Sequence, residues 1–390
     1  MGNCETTKLH NLQVVTEIPV LPTDKKKKRA LDLLCVLVKS AQVFPKCYEL
    51  VGVEFDLGSP VSQGGFGTVY KGMFDGRSVA VKVPRVFQQK DKASLSLSQT
   101  HAQDFILWAQ LSHQNIVPFY GVFQIQEATR RIAIVSPWME NGTLQDYVQK
   151  NPQVPRLPLL LDVIIGLEYL HKSNIIHTDL KPDNVLVSSS GRAMIGDFGV
   201  SNIALTVRIS AIASIGTPYY TAPELLECVE GEPTPTTASD IWSFGSLCYE
   251  VLCVSPQLPV RPHAPSKVLS GQVPFSDRYT TLAQLILACF RKKLELLLPS
   301  TVQIDDRVRR LIEQKCCNID PEQRSKSEEI IAVLKGLLNI QTGTSSPADD
   351  SLLSSSPQKF NISDIEIDYI RVYDVLVRWV PNVINGLLFT

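Results

Sequence analysis

The densest cluster of reactive side chains lies in the stretch HTDLKPDN, residues 177–184. Asp179 stands two residues before the ammonium group of Lys181, and Asn184 ends the stretch with an amide oxygen that a hard metal ion could bind. A carboxylate in this position can accept the proton of a hydroxyl group, and the lysine can neutralise an anionic group during its transfer. The residue types and their spacing therefore suit phosphoryl transfer, although an ordinary polar loop could have the same composition.

Three further motifs could supply phosphate and metal ligands. The glycine-rich stretch SQGGFGTVYKG, residues 62–72, lies between two strand patterns, and glycines let backbone amides approach phosphate oxygens closely. VAVK places Lys82 at the end of the next strand, and IGDFGV supplies Asp197, whose carboxylate suits Mg²⁺. Each has a plainer interpretation, because a glycine-rich turn can close an ordinary hairpin and a strand lysine is usually exposed.

Two kinds of periodicity predict the elements that position these motifs. Short alternating runs with glycines over residues 53–86, and two further runs over 116–125 and 131–139, predict strands. From Leu144 onward the apolar spacing is mostly helical, interrupted by a short hairpin pattern at 185–195. The clearest helical patterns are LLLDVIIGLEYLH, SDIWSFGSLCYEVL, LAQLILACFRKKLELL and DDRVRRLIEQKCC, and SQTHAQDFILWAQLSH is a helical pattern within the strand-rich part. The sequence predicts a small β-rich front part and a larger helical back part, joined by a hinge at 137–142.

Four flanking or inserted segments have other compositions. Residues 1–24 form an N-terminal tail without clear periodicity, and 25–52 begin with a basic run and continue as an amphipathic helix. Residues 254–274 are rich in proline and are expected to be an inserted loop. Residues 341–390 are a Ser/Pro-rich tail, for which disorder and a short terminal element are predicted.

The composition excludes several classes of protein. The chain has 390 residues, 44% of them hydrophobic, and its formal net charge of -1 argues against nucleic acid as a partner. The nine cysteines include no C-x-x-C pair, so neither a zinc site nor a disulfide framework is indicated, and reduced thiols in a cytoplasmic protein are expected. No apolar run reaches transmembrane length, and the start lacks the apolar core of a cleavable signal peptide.

The start of the chain fits a lipidation motif. MGNCETTK matches the acceptor pattern for myristoylation on Gly2, and Cys4 beside it could be palmitoylated. With the basic run 25–29, these signals would anchor the chain peripherally to an anionic membrane. The alternative is an unmodified tail followed by a solvated basic run.

The motifs follow one another as GGFGTVYKG, VAVK, HTDLKPDN, DFG, APE and DIWSFG, and in this order they closely resemble the protein kinase superfamily. The resemblance covers about residues 53–340. It implies a two-lobed α+β fold with a small β-rich lobe that includes one helix (53–136), a hinge (137–142) and a larger, mainly helical lobe (143–340).

The resemblance also implies ATP and Mg²⁺ as cofactors and assigns roles to five residues. Lys82 would grip the α- and β-phosphates of ATP, and Asp179 would accept the proton of the substrate hydroxyl. Lys181 would neutralise charge on the transferred group, and Asn184 and Asp197 would hold Mg²⁺.

Further positions follow from the resemblance. Ser136 occupies the gatekeeper position, and the hinge backbone would meet the adenine. The ATP-binding positions are Ser62, Gly64, Gly65, Phe66, Gly67, Val69, Ala80, Lys82, Ser136, Trp138 and Met139. The positions with structural or regulatory roles include a pair between Glu224 and Arg324, and Asp240 as a brace of the catalytic loop. The others are Asp104, His177, Thr178, Phe198, Gly199 and Thr217.

The substrate class can be inferred from the same resemblance. Lys181 in the catalytic loop and Thr217 in GTPYYTAPE are similar to serine/threonine kinases, and SPWMENGTL and HQNIVPFYGVF resemble the tyrosine-kinase-like group. The expected function is transfer of phosphate from MgATP to protein hydroxyls, in signalling. The alternatives are a pseudokinase that serves as a scaffold, and a small-molecule kinase of related fold, which the peptide-binding motif GTPYYTAPE disfavours.

Three positions depart from the family pattern. Ser62 replaces the first glycine of the loop, which is a mild change because Gly64 and Gly67 remain. Asp104 stands where the family has the helix glutamate that pairs with the strand lysine, so the pair is expected to be weaker, and the bulky Trp108 one turn later opposes a closer helix. Thr178 replaces an arginine that binds a phosphorylated residue, so phosphorylation of the activation segment is not expected to be the main switch through this contact.

Overall fold

The computed structural model describes residues 48–64, 67–84, 108–109, 111–125, 131–197, 217–226, 234–254, 274–275, 278–279 and 281–341. The helix predicted within 25–52, the lipidation residues Gly2 and Cys4, nearly all of the insertion at 254–274 and the tail after Gln341 lie outside the described residues. None of the helices in the described ranges combines the length and the hydropathy that a bilayer-spanning segment requires.

The front part is a five-stranded antiparallel sheet. Its strands are β1 (Glu54–Gly64), β2 (Gly67–Phe74), β3 (Arg77–Pro84), β4 (Gly121–Ile125) and β5 (Arg131–Pro137), in the order β1-β2-β3-β5-β4. The turn Asp75-Gly76 joins β2 to β3 with positive φ at both residues, which is the Asp-Gly hairpin turn that suits the twist of two strands. In β3 the alternate residues Val79, Val81 and Val83 are buried, so the period-2 pattern of the sequence becomes one face of a core.

The back part is mainly helical. A hairpin of β6 (Val185–Val187) and β7 (Ala193–Ile195) interrupts it. The hairpin lies between Asp197 and residues 177–184, which we call the catalytic stretch because of the resemblance. The helices are α1 (Leu144–Lys150), α2 (Arg156–Lys172), α3 (Pro223–Leu226), α4 (Thr237–Cys253), α5 (Leu282–Phe290), α6 (Asp306–Arg310) and α7 (Ser327–Gln341). A β-sheet lobe and a helical lobe follow each other along the chain, so the predicted two-lobed α+β fold is confirmed.

Helix α4 is the central element of the helical lobe. It begins at a capping box formed by Thr236 and Ser239, and nearly all of its residues are buried, including Trp242. A Cβ atom at Gly245 would lie 2.3 Å from the sulfur of Cys317, so only glycine allows this close packing. Cys316 and Cys317 are buried, as expected for packing residues, and burial raises the pKa of the Cys316 thiol to about 12.

Two helices differ from the pattern in the sequence. The apolar spacing predicts a helix over residues 282–297, but α5 ends at Phe290 because Lys292 has a φ of 51°. The amide of Lys292 then donates to Cys289 O (2.7 Å) and that of Lys293 to Ala288 O (3.0 Å), which is the Schellman closure of a helix. The single helix predicted after residue 305 is α6 followed by a π-helical segment, Leu311–Cys316.

Candidate active site

The carboxylate of Asp240, buried in α4, fixes the start of the catalytic stretch. Its Oδ2 accepts hydrogen bonds from the backbone amide of His177 (2.8 Å) and from His171 Nε2 (2.9 Å). Its Oδ1 accepts from the backbone amide of Thr178 (2.9 Å). Hydrogen bonds to a buried carboxylate are stronger than neutral ones, so residues 177–178 are held rigidly on the central helix.

Thr178 is held in an unusual backbone conformation. Its φ is 68°, in the left-handed region, which is rare for a β-branched residue. The amide of Thr178 is one of those bound to Asp240, so the brace stabilises a conformation that this residue would otherwise avoid.

His177 links the catalytic stretch to the segment before Asp197. Its Nδ1 accepts a hydrogen bond from the amide of Asp179 (3.2 Å), so Nε2 carries the proton and donates to Gly196 O (3.1 Å). Burial lowers the pKa of His177, although the charges of Asp240 and of the nearby aspartates oppose the shift. The imidazole is therefore neutral at pH 7 and acts as a bridge between two backbone segments.

Lys181 and Asn184 both contact the buried carboxylate of Asp179. Lys181 Nζ lies 3.0 Å from Asp179 Oδ2, and Asn184 Nδ2 donates to the same oxygen (2.9 Å) and to Asp179 O (2.7 Å). The 3₁₀ turn Pro182–Asn184 brings Asn184 back to Asp179. The result is an oriented carboxylate with a cation beside it, which suits acceptance of a hydroxyl proton next to an anionic group.

Lys82 and Asp197 form an ion pair between the two lobes. Lys82 Nζ, at the end of β3, donates to Asp197 Oδ1 at 2.6 Å, and Asp197 directly follows β7 and Gly196. Burial alone would raise the pKa of Asp197, but the ammonium of Lys82, assisted by that of Lys181, lowers it below its ordinary value. Asp197 is thus ionised at neutral pH and available as a hard oxygen ligand.

The glycine-rich turn and the hinge both lie next to strand β3, which carries Lys82. Gly64 and Gly67 pair at the end of the β1–β2 hairpin, and a Cβ at Gly67 would lie 2.5 Å from Val83 O, which leaves no room for a side chain. The sheet register places Ser62 and Lys82 on either side of Val69. Gly65 and Phe66, the remaining predicted residues of the turn, lie outside the described residues.

The hinge follows directly after β5. Ala80 lies opposite Ser136 in the sheet, the amide of Trp138 donates to Ser78 O (3.2 Å), and Met139 is buried. Lys71 Nζ lies 5.1 Å from the centre of the Trp138 ring, a cation–π contact that the sequence pattern does not reveal.

Arg324 and Glu224 form a bidentate ion pair in the helical lobe. Both guanidinium nitrogens lie 2.7 Å from the carboxylate oxygens, and the same guanidinium donates to Ala238 O and to Asn318 O. The guanidinium also lies 5.1 Å from the centre of the Trp242 ring. Arg324 therefore ties α3 to the start of α4 and to the turn before α7.

Of the other predicted residues, some lie within the described part of the chain and some do not. Thr217 begins the 3₁₀ turn Thr217–Tyr220, whereas Asp104, Phe198 and Gly199 lie outside the described residues. Trp108 is buried, and its Nε1 donates to Val117 O at 2.7 Å. This indole is thus a fixed part of the core.

Sequence reasoning missed several positioning contacts. The hydroxyl of Tyr220 donates to the buried carboxylate of Glu250, and Asp162 holds both the guanidinium of Arg192 (2.8 Å to Nε) and the amide of Ala193 (3.0 Å). The signal that could have found them is an acidic residue within an apolar helical run, since such a residue needs a partner when it is buried.

The donor set fits a nucleotide and a hard metal ion. The amide nitrogen of Asn184 is used by Asp179, so the amide oxygen is the atom of Asn184 that suits a cation, together with the ionised carboxylate of Asp197. A Cβ at Gly64 would meet no atom of the described residues within 4 Å, so this end of the hairpin offers backbone that phosphates could approach.

Comparison with known proteins identifies relatives of this arrangement. The family model described as protein kinase domain matches residues 55–333. A probable serine/threonine-protein kinase of Dictyostelium discoideum is 33% identical over 224 residues, which are 56% of this chain and 43% of that protein. Serine/threonine/tyrosine-protein kinase HT1 of Arabidopsis thaliana is 28% identical over 284 residues, 72% of this chain and 65% of that protein.

A further relative is much longer. Cell division control protein 7 of Schizosaccharomyces pombe is 32% identical over 250 residues, which are 60% of this chain and 22% of that protein. The chain thus spans less than two thirds of each of these three relatives. The matched region of this chain contains all of the site described above.

Proposed function

Because the chain belongs to the protein kinase family, we propose that it transfers the γ-phosphate of MgATP to serine or threonine hydroxyls of protein substrates. One observation carries the proposal, namely a continuous network of contacts through the site. It runs from Lys82 to Asp197, and from Gly196 O through His177 to Asp179 with its two partners Lys181 and Asn184. The five groups that the resemblance assigns to phosphoryl transfer thus lie in one network, which supports the proposal.

The residues of the chain act mainly by positioning. When bound, MgATP supplies the phosphoryl group and a divalent cation that neutralises its charge. Asp179 orients the substrate hydroxyl and accepts its proton, while Lys181 places a positive charge beside the anionic group. Asn184 and Asp197 would hold the metal, and Lys82 would hold phosphate oxygens, as a lysine at the end of a strand in a fixed position can do.

The preference for serine and threonine has two supports. Lys181 contacts Asp179, and a lysine two residues after the catalytic aspartate is similar to the pattern of serine/threonine kinases. The names of the Dictyostelium and Arabidopsis relatives also include serine/threonine kinase activity, and one of them adds tyrosine. We infer a role in signalling from this family membership.

A scaffold without efficient phosphotransfer is the second candidate. It is favoured by Asp104, which is shorter than the glutamate of the family pattern and would pair less closely with Lys82. It is disfavoured by the retention of the five groups Lys82, Asp179, Lys181, Asn184 and Asp197, since loss of one of them is the common route to an inactive kinase fold.

The test is phosphotransfer from MgATP to a generic protein substrate, with wild type compared to Asp179→Asn. We expect Asp179→Asn to lower the rate about 100-fold or more, because the hydroxyl loses its oriented base. Asp306→Asn, a change of an exposed aspartate at the start of α6, is the matched control and should leave the rate unchanged. Equal rates for wild type and Asp179→Asn would refute catalysis and favour the scaffold, and phosphoamino-acid analysis of the product would test the preference for serine and threonine.

A further inference from the structure

Helix α5 is apolar on two opposite faces. Leu285, Ala288 and Cys289 are buried against the lobe. The opposite face carries Leu287 and Phe290, whose exposed fractions are 48% and 50%. Ala283, which is also exposed, lies four residues before Leu287 and therefore on the same face. An exposed apolar face on a helix that is already buried on its other side is suited to contact with another apolar segment.

A basic segment directly follows this face. Arg291, Lys292 and Lys293 are all exposed and lie at the C-terminal end of α5, where the helix dipole favours positive charge. Lys292 adopts a φ of 51° at a position where glycine would be less strained. The only acidic residue close by in the sequence is the exposed Glu295. We call Ala283, Leu287, Phe290 and 291–293 together the α5 surface.

Helix α5 lies next to the 3₁₀ turn Thr217–Tyr220, which is part of the peptide-binding motif GTPYYTAPE. Helix α5 packs against α3, which continues directly from the 3₁₀ turn Thr217–Tyr220. The hydroxyl of Tyr219 in that turn donates to Tyr279 O at 3.5 Å, close to the start of α5.

The chain itself contains a segment of complementary chemistry. In ISDIEIDYI, residues 362–370, the acidic residues Asp364, Glu366 and Asp368 alternate with apolar ones. We propose that this segment binds the α5 surface of the same molecule, with its isoleucines against Leu287 and Phe290 and its carboxylates near 291–293. The whole chain has a net charge of -1, so the match of a basic site with an acidic segment is local and specific.

The connection is long enough for this contact. The 20 residues 342–361 between the end of α7 and the segment can span roughly 66 Å at about 3.3 Å per residue. A domain of this size has a diameter of about 50 Å and a half-circumference of about 78 Å, so the segment can reach most of the surface but not the point opposite the end of α7. Tethering raises the local concentration of the segment to roughly the millimolar range, which favours a contact of modest intrinsic affinity.

Carbodiimide cross-linking of the full chain tests the contact, since it joins an amine to a carboxylate only when they touch. At low protein concentration we expect cross-links within one molecule from Lys292 or Lys293 to Asp364, Glu366 or Asp368. The variant Leu287→Ser/Phe290→Ser should lower their yield about tenfold or more, because the apolar part of the contact is lost. Lys315→Glu/Lys335→Glu, which changes two exposed lysines elsewhere, is the matched control and should leave the yield unchanged.

A charge exchange separates this proposal from its competitors. Asp364→Lys/Glu366→Lys/Asp368→Lys should abolish the cross-links, and adding Arg291→Glu/Lys293→Glu should restore them with amine and carboxylate exchanged. The proposal would be overturned by cross-links that join only different molecules or that lead from the segment to other surfaces. It would also be overturned if the three introduced lysines formed cross-links to Glu295 as abundant as the original ones, because the charges would then not determine the contact. The readout does not depend on phosphotransfer, so its failure and that of the proposed function are distinguishable.

Discussion

Replacing Asp240 by asparagine tests whether the central helix fixes the catalytic stretch. The carboxylate accepts hydrogen bonds from three donors, namely the amides of His177 and Thr178 and the imidazole of His171. Asparagine offers one oxygen in place of two, so in either orientation its NH₂ group faces a backbone N–H. At least one hydrogen bond to the charged group is lost, and a buried donor is left opposite another donor.

The size of the effect follows from these contacts. A hydrogen bond to a charged group contributes about 1.5–3 kcal/mol, and the left-handed conformation of Thr178 costs about 1–2 kcal/mol that the lost bond no longer offsets. Local opening of residues 177–178 should therefore become easier by at least about 1.5–3 kcal/mol, which is roughly a 10- to 150-fold faster amide exchange. Adding Thr178→Gly should recover part of this loss, because glycine adopts the left-handed conformation without strain.

Hydrogen exchange at residues 177–179, read by mass spectrometry, is the assay. Asp162→Asn is the matched control, since Asp162 is a buried aspartate bound to Arg192 and Ala193 and its loss should speed exchange at Ala193 instead. If Asp240→Asn is folded and exchanges at 177–179 within about twofold of wild type, the reasoning from the brace is refuted.

Three further predictions concern pH, a helix end and the helix glutamate. Burial lowers the pKa of His177 in the folded state, so between pH 7 and 5.5 the imidazole takes up a proton mainly in the unfolded state. The free energy of unfolding should therefore fall as the pH drops through this range. His177→Gln should flatten this part of the pH profile measured by urea unfolding, and an unchanged profile would contradict the prediction. Lys292→Gly should raise the free energy of unfolding by about 1 kcal/mol through relief of left-handed strain, whereas Lys292→Ala should not, as urea midpoints would show. Asp104→Glu should raise phosphotransfer, by up to about 100-fold if the pair with Lys82 limits the geometry, and an equal or lower rate would show that the shorter side chain is adequate.

Local patterns in the sequence predicted the local elements well. The alternation of Val79, Val81 and Val83 predicted a strand, which is β3, and the helical spacing of 159–171 and 239–252 predicted helices, which are α2 and α4. The helical pattern was misleading over residues 282–297, where a helical period is followed by a period of two. After Phe290 the apolar residues continue, but with a period of two, since Leu294, Leu296 and Leu298 are buried and the two residues between them are exposed.

The contacts within the site were less accessible to sequence reasoning. The order of the motifs indicated which residues would share a site, and the structure places Lys82 against Asp197 across 115 residues of chain. The partner of His171 could not be predicted, because a contact across 69 residues depends on how α2 packs beside α4. In the sequence Thr178 is notable only because it replaces the arginine of the family pattern, whereas its left-handed backbone conformation is a property of the folded chain.

The ion pair between Lys82 and Asp197 has a thermodynamic consequence for the two ligands that the family binds. Under the proposed function, a phosphate group of ATP would bind Lys82 and the divalent cation would bind Asp197, so each ligand would compete with the other member of the pair for its partner. The ligand that arrives first separates the pair, and the second then finds its partner already released. Such an arrangement makes the two binding events mutually reinforcing, and by thermodynamic linkage each must tighten the other by the same factor.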